Sequence, residues 1–137
     1  MFRSSDKPSR SRTVAHTLIS ASTEVQGDIR FSGELIIEGR LTGNILADDD
    51  SDAILRIAEQ GRVDGNVSVP SAVINGYVKG DVRTSKHLEL AARARVSGTV
   101  YYQLLEMVLG AKVNGSLVCD TSGRPETRAL LQNDPQG

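Results

Sequence analysis

The densest chemistry in this chain lies in "DDDSDAILRIAE", residues 48–59, which places Asp48, Asp50, Asp52 and Glu59 at positions 1, 3, 5 and 12 of a calcium-loop template. That template also needs glycine at position 6, where Ala53 sits, and helices on both sides. The stretch reads instead as a solvated acidic loop, available as a docking surface. "GAKVNGS" from Gly110 spaces two glycines as a phosphate loop does, yet Ser116 occupies the lysine position. Nucleotide binding is not expected. His16 and His87 have no partner in the sequence and read as surface residues, and Cys119 lacks an activating base. No catalytic, cofactor or metal residues are assigned, and the chain is not expected to be an enzyme.

The elements around these residues are set by a repeat. "VQGDI", "LTGNI", "VDGNV", "VKGDV", "VSGTV" and "VNGSL" recur through the chain, centred on Gly27, Gly43, Gly65, Gly80, Gly98 and Gly115 at intervals of 16, 22, 15, 18 and 17 residues. Removing the acidic insertion at residues 48–52 brings the long interval into line with the others. Before each glycine stands an apolar pair with one residue between, such as Leu35 and Ile37, Leu55 and Ile57, or Leu88 and Leu90. Such alternation is the mark of a short half-buried strand. From the second member of a pair to the apolar residue two before the glycine, the count is four or six residues. A difference of two preserves which face points inward.

Each unit therefore holds about three short strands joined by corners, too small to bury a face alone, and stacking is the remedy. The pattern predicts an all-β fold, a single parallel β-helix of about six three-sided coils spanning residues 14–119. At about 4.8 Å per coil, it would be a rod roughly 30 Å long. Each glycine is expected to face outward or sit at a bend, with its polar neighbour (Asp28, Asn44, Asn66, Asp81, Thr99 or Ser116) pointing out or capping a corner.

Flanking this domain, residues 1–13 are basic, with Arg3, Lys7, Arg10 and Arg12 against Asp6, while residues 14–119 sum to −3 within an overall charge of −1. Residues 1–13 and 120–137 both read as disordered tails rather than caps. The apolar cluster Ala129 to Leu131 offers one alternative, a short helix shielding an end. A lone cysteine argues for a reducing compartment, and no apolar run is long enough to span a membrane or serve as a signal peptide. An uncapped β-helix is a template for another copy. The residues expected to form the contact are Thr17, Ile19 and Val25 at one end, and Val100, Tyr102, Leu105, Met107, Val113 and Leu117 at the other.

The segment "HTLISASTEVQGDIRFSGELIIEGRLTGNI", the glycine ladder, the coil lengths and the two tails together resemble the bactofilins, bacterial cytoskeletal proteins. The resemblance implies a right-handed β-helix. It further implies nonpolar filaments that assemble without nucleotide, with the protein itself as principal partner, and scaffolds that localise cell-wall or morphogenesis proteins. Some bactofilins begin with Met-Phe and a basic residue as a membrane-targeting segment. Met1, Phe2 and Arg3 fit, with Lys7, Arg10 and Arg12 behind them, which implies a cytoplasmic protein held peripherally on the inner-membrane lipid surface. Tyr101, Tyr102 and Leu104 lie where the family carries a bulky apolar residue that matters for polymerisation.

Two other readings compete. Left-handed β-helix acyltransferases repeat every six residues, a phase these intervals do not keep, and a capped, non-polymerising solenoid adaptor would need end caps. Nucleic-acid binding is not expected, since four basic residues without interleaved aromatics are thin support.

Overall fold

A computed structural model describes residues 16–120, and every strand pairing among them is parallel. The chain winds through six coils, each contributing one rung to three faces. The first face stacks β1 (His16–Ile19), β4 (Glu34–Ile37), β7 (Ile54–Ile57), the second halves of β9 (Val67–Ile74) and β11 (Val82–Leu90), and β13 (Leu105–Met107). The second stacks β2 (Glu24–Gln26), β5 (Arg40–Thr42), β8 (Arg62–Asp64), β10 (Tyr77–Lys79) and the first halves of β12 (Arg95–Tyr102) and β14 (Lys112–Cys119). The third begins with β3 (Ile29–Arg30) and β6 (Ile45–Leu46) and continues through the remaining halves of β9, β11, β12 and β14. The expected tails over residues 1–13 and 121–137, with the alternative helix at Ala129 to Leu131, lie outside the described residues.

Alternation along each short strand sends every second side chain into the lumen, where like stacks on like. Ile37, Ile57, Ile74 and Leu90 form one buried column; Leu41, Val63, Val78 and Val96 form another, and Ile45, Val67, Val82 and Val100 a third. Each fully buried aliphatic side chain contributes about 1.5–3 kcal/mol relative to exposure. The counts of four and six residues have a geometric cause at the corner between the first two faces. Ser20, Ala58, Ala91 and Val108 each open a four-residue turn closed by an N–H to C=O bond of 2.8–3.0 Å, whereas Glu38-Gly39 and Asn75-Gly76 turn in two residues. The short corners tuck against the wide ones: a Cβ on Gly39 would lie 2.2 Å from the Ser20 carbonyl oxygen.

At the corner between the second and third faces, the repeat glycines stand at bends, with φ between +126° and +155°. A Cβ on Gly65 would come within 1.9 Å of the Gly43 carbonyl oxygen. The polar residue after each glycine does more than cap its own corner. The Asp28 Oδ1 accepts the Asn44 N–H at 2.9 Å, Asn44 accepts from Asn66, Asn66 from Asp81, and Asp81 from Thr99. This side-chain ladder carries the inter-coil bonding through a bend where strand pairing lapses.

Gly65→Ala is expected to destabilise the fold by more than the roughly 1–3 kcal/mol of backbone strain at such a φ, because the methyl also pushes two coils apart. Gly27→Ala, with nothing within 4 Å of its Cβ position, should lose only the strain. Urea denaturation of the two variants checks the difference.

Candidate functional site

The two ends interrupt what the interior completes. Among the described residues, β1, β2 and β3 each pair on one side only, and so do β13 and β14, which leaves rows of unpaired backbone groups at both ends. The apolar columns run out in the same places. Leu90 is fully buried, but Met107 in the next coil is 46% exposed; Val100 is fully buried, but Leu117 above it is 42% exposed. The side-chain types have not changed. What is missing, among the described residues, is a seventh coil.

The expected contact residues separate accordingly. Leu105, Met107, Val113 and Leu117 lie in the sixth coil, with Leu105 and Val113 half-buried against the core. Val100 and Tyr102 do not belong to that end face: they lie in the fifth coil, where Leu117 and Cys119 pair over them. Sequence spacing had merged two consecutive rungs, because β12 and β14 run unbroken around the corner. Tyr102 is partly enclosed, and burial, with the Cys119 sulfur beside it, pushes its hydroxyl above the usual value. At the first coil, Ile19 is buried, Val25 half-buried and Thr17 exposed, with Ile29 and Phe31 completing the inward set. Ile29 and Phe31 were missed in the sequence, although Ile29 occupies the same place after Gly27 as Leu117 after Gly115. Tyr101 points outward under the Arg83 guanidinium, 4.2 Å from its ring centre, and Leu104 is exposed at the rim. Met1, Phe2, Arg3, Lys7, Arg10 and Arg12 lie outside the described residues.

Both histidines have partners that only coil stacking could supply. His16 Nδ1 lies 2.6 Å from Glu34 Oε1 in the next coil, and His87 Nε2 lies 3.0 Å from Glu106 Oε1. Glu34 also accepts from Arg56 Nε in the third coil, so one carboxylate ties three coils on the first face. The acidic loop is tethered rather than free. Lys86 Nζ donates to the Ser51 carbonyl at 2.8 Å and lies 3.6 Å from Asp52, and Ser85 donates to the Asp49 carbonyl at 3.3 Å. Ser85 and Lys86 stand at an irregularity in the β11 register, so the loop straps across the coil between. A cleft of about 420 Å³ lined by Arg30, Phe31, Ser32, Asp48 and Ser51 opens beside it. Among the described residues no cluster of three or more His, Cys, Asp or Glu could hold a metal, and no helix is long and apolar enough to cross a membrane.

A short parallel β-solenoid, its lumen lined by stacked aliphatic columns that stop, among the described residues, at two unpaired ends, defines a solenoid repeat protein. The model of the bactofilin family, described as polymer-forming cytoskeletal, matches residues 17–118, and this chain belongs to that family. It is similar to bactofilin BacO of Myxococcus xanthus strain DK1622, at 26% identity over 115 residues, covering 84% of this chain and 88% of BacO. It is also similar to bactofilin BacP of the same organism, at 26% identity over 107 residues, covering 78% of this chain and 43% of BacP, so it spans less than half of BacP. No solved structure matches at a significant level.

The Glu34 bridge makes an acid-side prediction. The hydrogen bond from Arg56, reinforced by His16 against the opposing effect of burial, holds the Glu34 carboxyl below its ordinary value of 4.5. A carboxylate whose folded-state pKa is depressed stabilises the fold above its unfolded value and loses that contribution as pH falls through the folded one. Glu34→Gln should therefore lower the melting temperature at neutral pH, and its gap from the parent should close as pH drops below about 4. Thermal melts of both proteins at pH 7 and pH 3 check this.

Proposed function

We propose that this protein is a bacterial cytoskeletal scaffold that assembles end to end into filaments without nucleotide or metal, and that it has no enzymatic activity. The observation that carries the reading is the abrupt exposure of Met107 and Leu117 directly above the fully buried Leu90 and Val100. A second copy stacked there would continue both the aliphatic core and the backbone ladder. Gly27 adds support at the other end. It keeps the positive φ of the repeat although, among the described residues, nothing lies within 4 Å of its Cβ position, so the first coil has the shape of one that receives another.

Under the same reading, the basic segment with Met1, Phe2, Arg3, Lys7, Arg10 and Arg12 attaches the filament to the cytoplasmic face of the inner membrane. One phenylalanine and a few charges anchor a single copy weakly. A filament repeats the anchor along its length, and the high effective concentration turns weak contacts into stable attachment. The attached filament then localises cell-wall or morphogenesis proteins.

Electron microscopy of the purified protein without nucleotide or metal should show long thin filaments at several salt concentrations. Leu117→Arg or Met107→Arg should abolish them by placing an unpaired charge in the contact, while the circular dichroism of the folded domain stays unchanged. Filaments that persist in both variants would place the contact elsewhere. Deleting residues 1–12 should leave filaments intact and abolish their cosedimentation with anionic vesicles. Retained vesicle binding would remove the membrane role from this segment.

A further inference from the structure

The sixth coil carries a second apolar feature that the repeat does not require. Leu104 is 57% exposed, Val108 43% and Leu109 95%. None of them continues a lumen column. Leu104 stands in the outward position held by His87 one coil earlier and by Ser71 before that, as the register of β11 with β9 and β13 shows. Val108 follows the ladder position of Ala91, Asn75, Ala58 and Glu38, and Leu109 stands at the turn tip where the fifth coil has Ala92 and the third has Glu59. Other coils place mainly small or polar residues here, as a solvated rim needs. Among the described residues, these corner positions hold exposed large aliphatic side chains in the last coil alone, on both corners of β13, whose outer edge pairs with no described strand.

The chain itself leaves the solenoid beside this rim. Asp120 donates its N–H to the Tyr102 carbonyl at 2.6 Å, and its carboxylate lies 3.5 Å from the Arg83 guanidinium. Both contacts hold the chain at the end of the third face, next to the corner where Leu104 stands. Beyond it, residues 121–137 are mostly polar with two prolines, and their one apolar cluster is Ala129, Leu130 and Leu131. Ala129 stands nine positions beyond Asp120, a reach of about 30 Å when extended. The rim from Leu104 to Leu109 spans about 17 Å.

We propose that Ala129 to Leu131 dock on the Leu104, Val108 and Leu109 rim of the same chain, forming a detachable cover that a second copy must displace to stack on the sixth coil. Its occupant is this chain's own segment, identified by where the chain leaves and by the single apolar cluster within reach. The competition with a second copy rests on the end-to-end reading above; the docking itself does not. Covering the rim hides exposed aliphatic surface in the unassembled chain, and tethering makes the contact intramolecular, so a small patch suffices.

The test uses the full-length chain, with Leu130→Asp and Leu131→Asp together on one side of the contact and Leu109→Asp on the other. The exposure of Leu109 makes that last change harmless to the fold. Amide hydrogen exchange across residues 104–109 is measured on single copies collected by gel filtration, and assembly is followed by sedimentation against concentration. The proposal expects exchange about tenfold faster in either variant than in the parent, and an assembly threshold at least about threefold lower in the Leu130 and Leu131 variant. Equal exchange in parent and variants overturns the docking. Faster exchange with an unchanged threshold overturns the competition. Should no form sediment at any concentration, end-to-end assembly fails as a reading, and the exchange comparison still decides the docking.

Discussion

In-register stacking of each coil on the one before it is the constraint from which the rest of this molecule follows. A coil buries its inward side chains and pairs its backbone only through its neighbours, so stability is transmitted along the rod by nearest-neighbour contact. Stacking at strand spacing brings main chains close at every corner. Glycine is required where a Cβ would meet a carbonyl 1.9–2.3 Å away, as at Gly43, Gly65, Gly80, Gly98 and Gly115. The glycine ladder is thus a consequence of backbone proximity, and side-chain chemistry has little part in it.

The same constraint arranges the polar groups. Because equivalent positions of successive coils superpose, an Asn or Asp at one corner meets the N–H of its counterpart in the next coil, and a ladder of Oδ1 acceptors forms from Asp28 to Asp81. On the outer faces, opposite charges far apart in sequence become neighbours, one rung apart with Glu34 and Arg56 and two with Glu59 and Arg93. Such exposed pairs add little individually. Their larger effect is to favour one register over a slipped one, since a one-residue slip would turn every inward side chain outward.

Ends are the exception that such a design cannot avoid. Every interior rung is satisfied on both sides, and the first and last are satisfied on one. In a solenoid whose cross-section is uniform, the missing neighbour has the shape of the coil already present, which is the geometry on which the proposed end-to-end assembly rests. Small departures from uniformity then acquire meaning: the loop at residues 48–52 strapped to Ser85 and Lys86, and the aliphatic rim of the sixth coil, are features of single coils that the repeat did not need.

Much of this was legible beforehand. The period of the glycines, the alternation of apolar pairs and the preserved parity of the four- and six-residue counts determined an all-β parallel solenoid of about six coils, because strand geometry leaves no other way to bury that pattern. The partners of His16, His87 and Lys86 were not legible, since they come from residues 18, 19 and 34 or more positions away. Nor was the placement of Val100 and Tyr102 one coil inside the end. By itself the sequence determined which side chains point inward and how many coils they make. Only the tertiary structure decided which of those side chains are left uncovered, because burial in a stacked repeat depends on whether a further coil lies above, a property of position in the stack that no single repeat encodes.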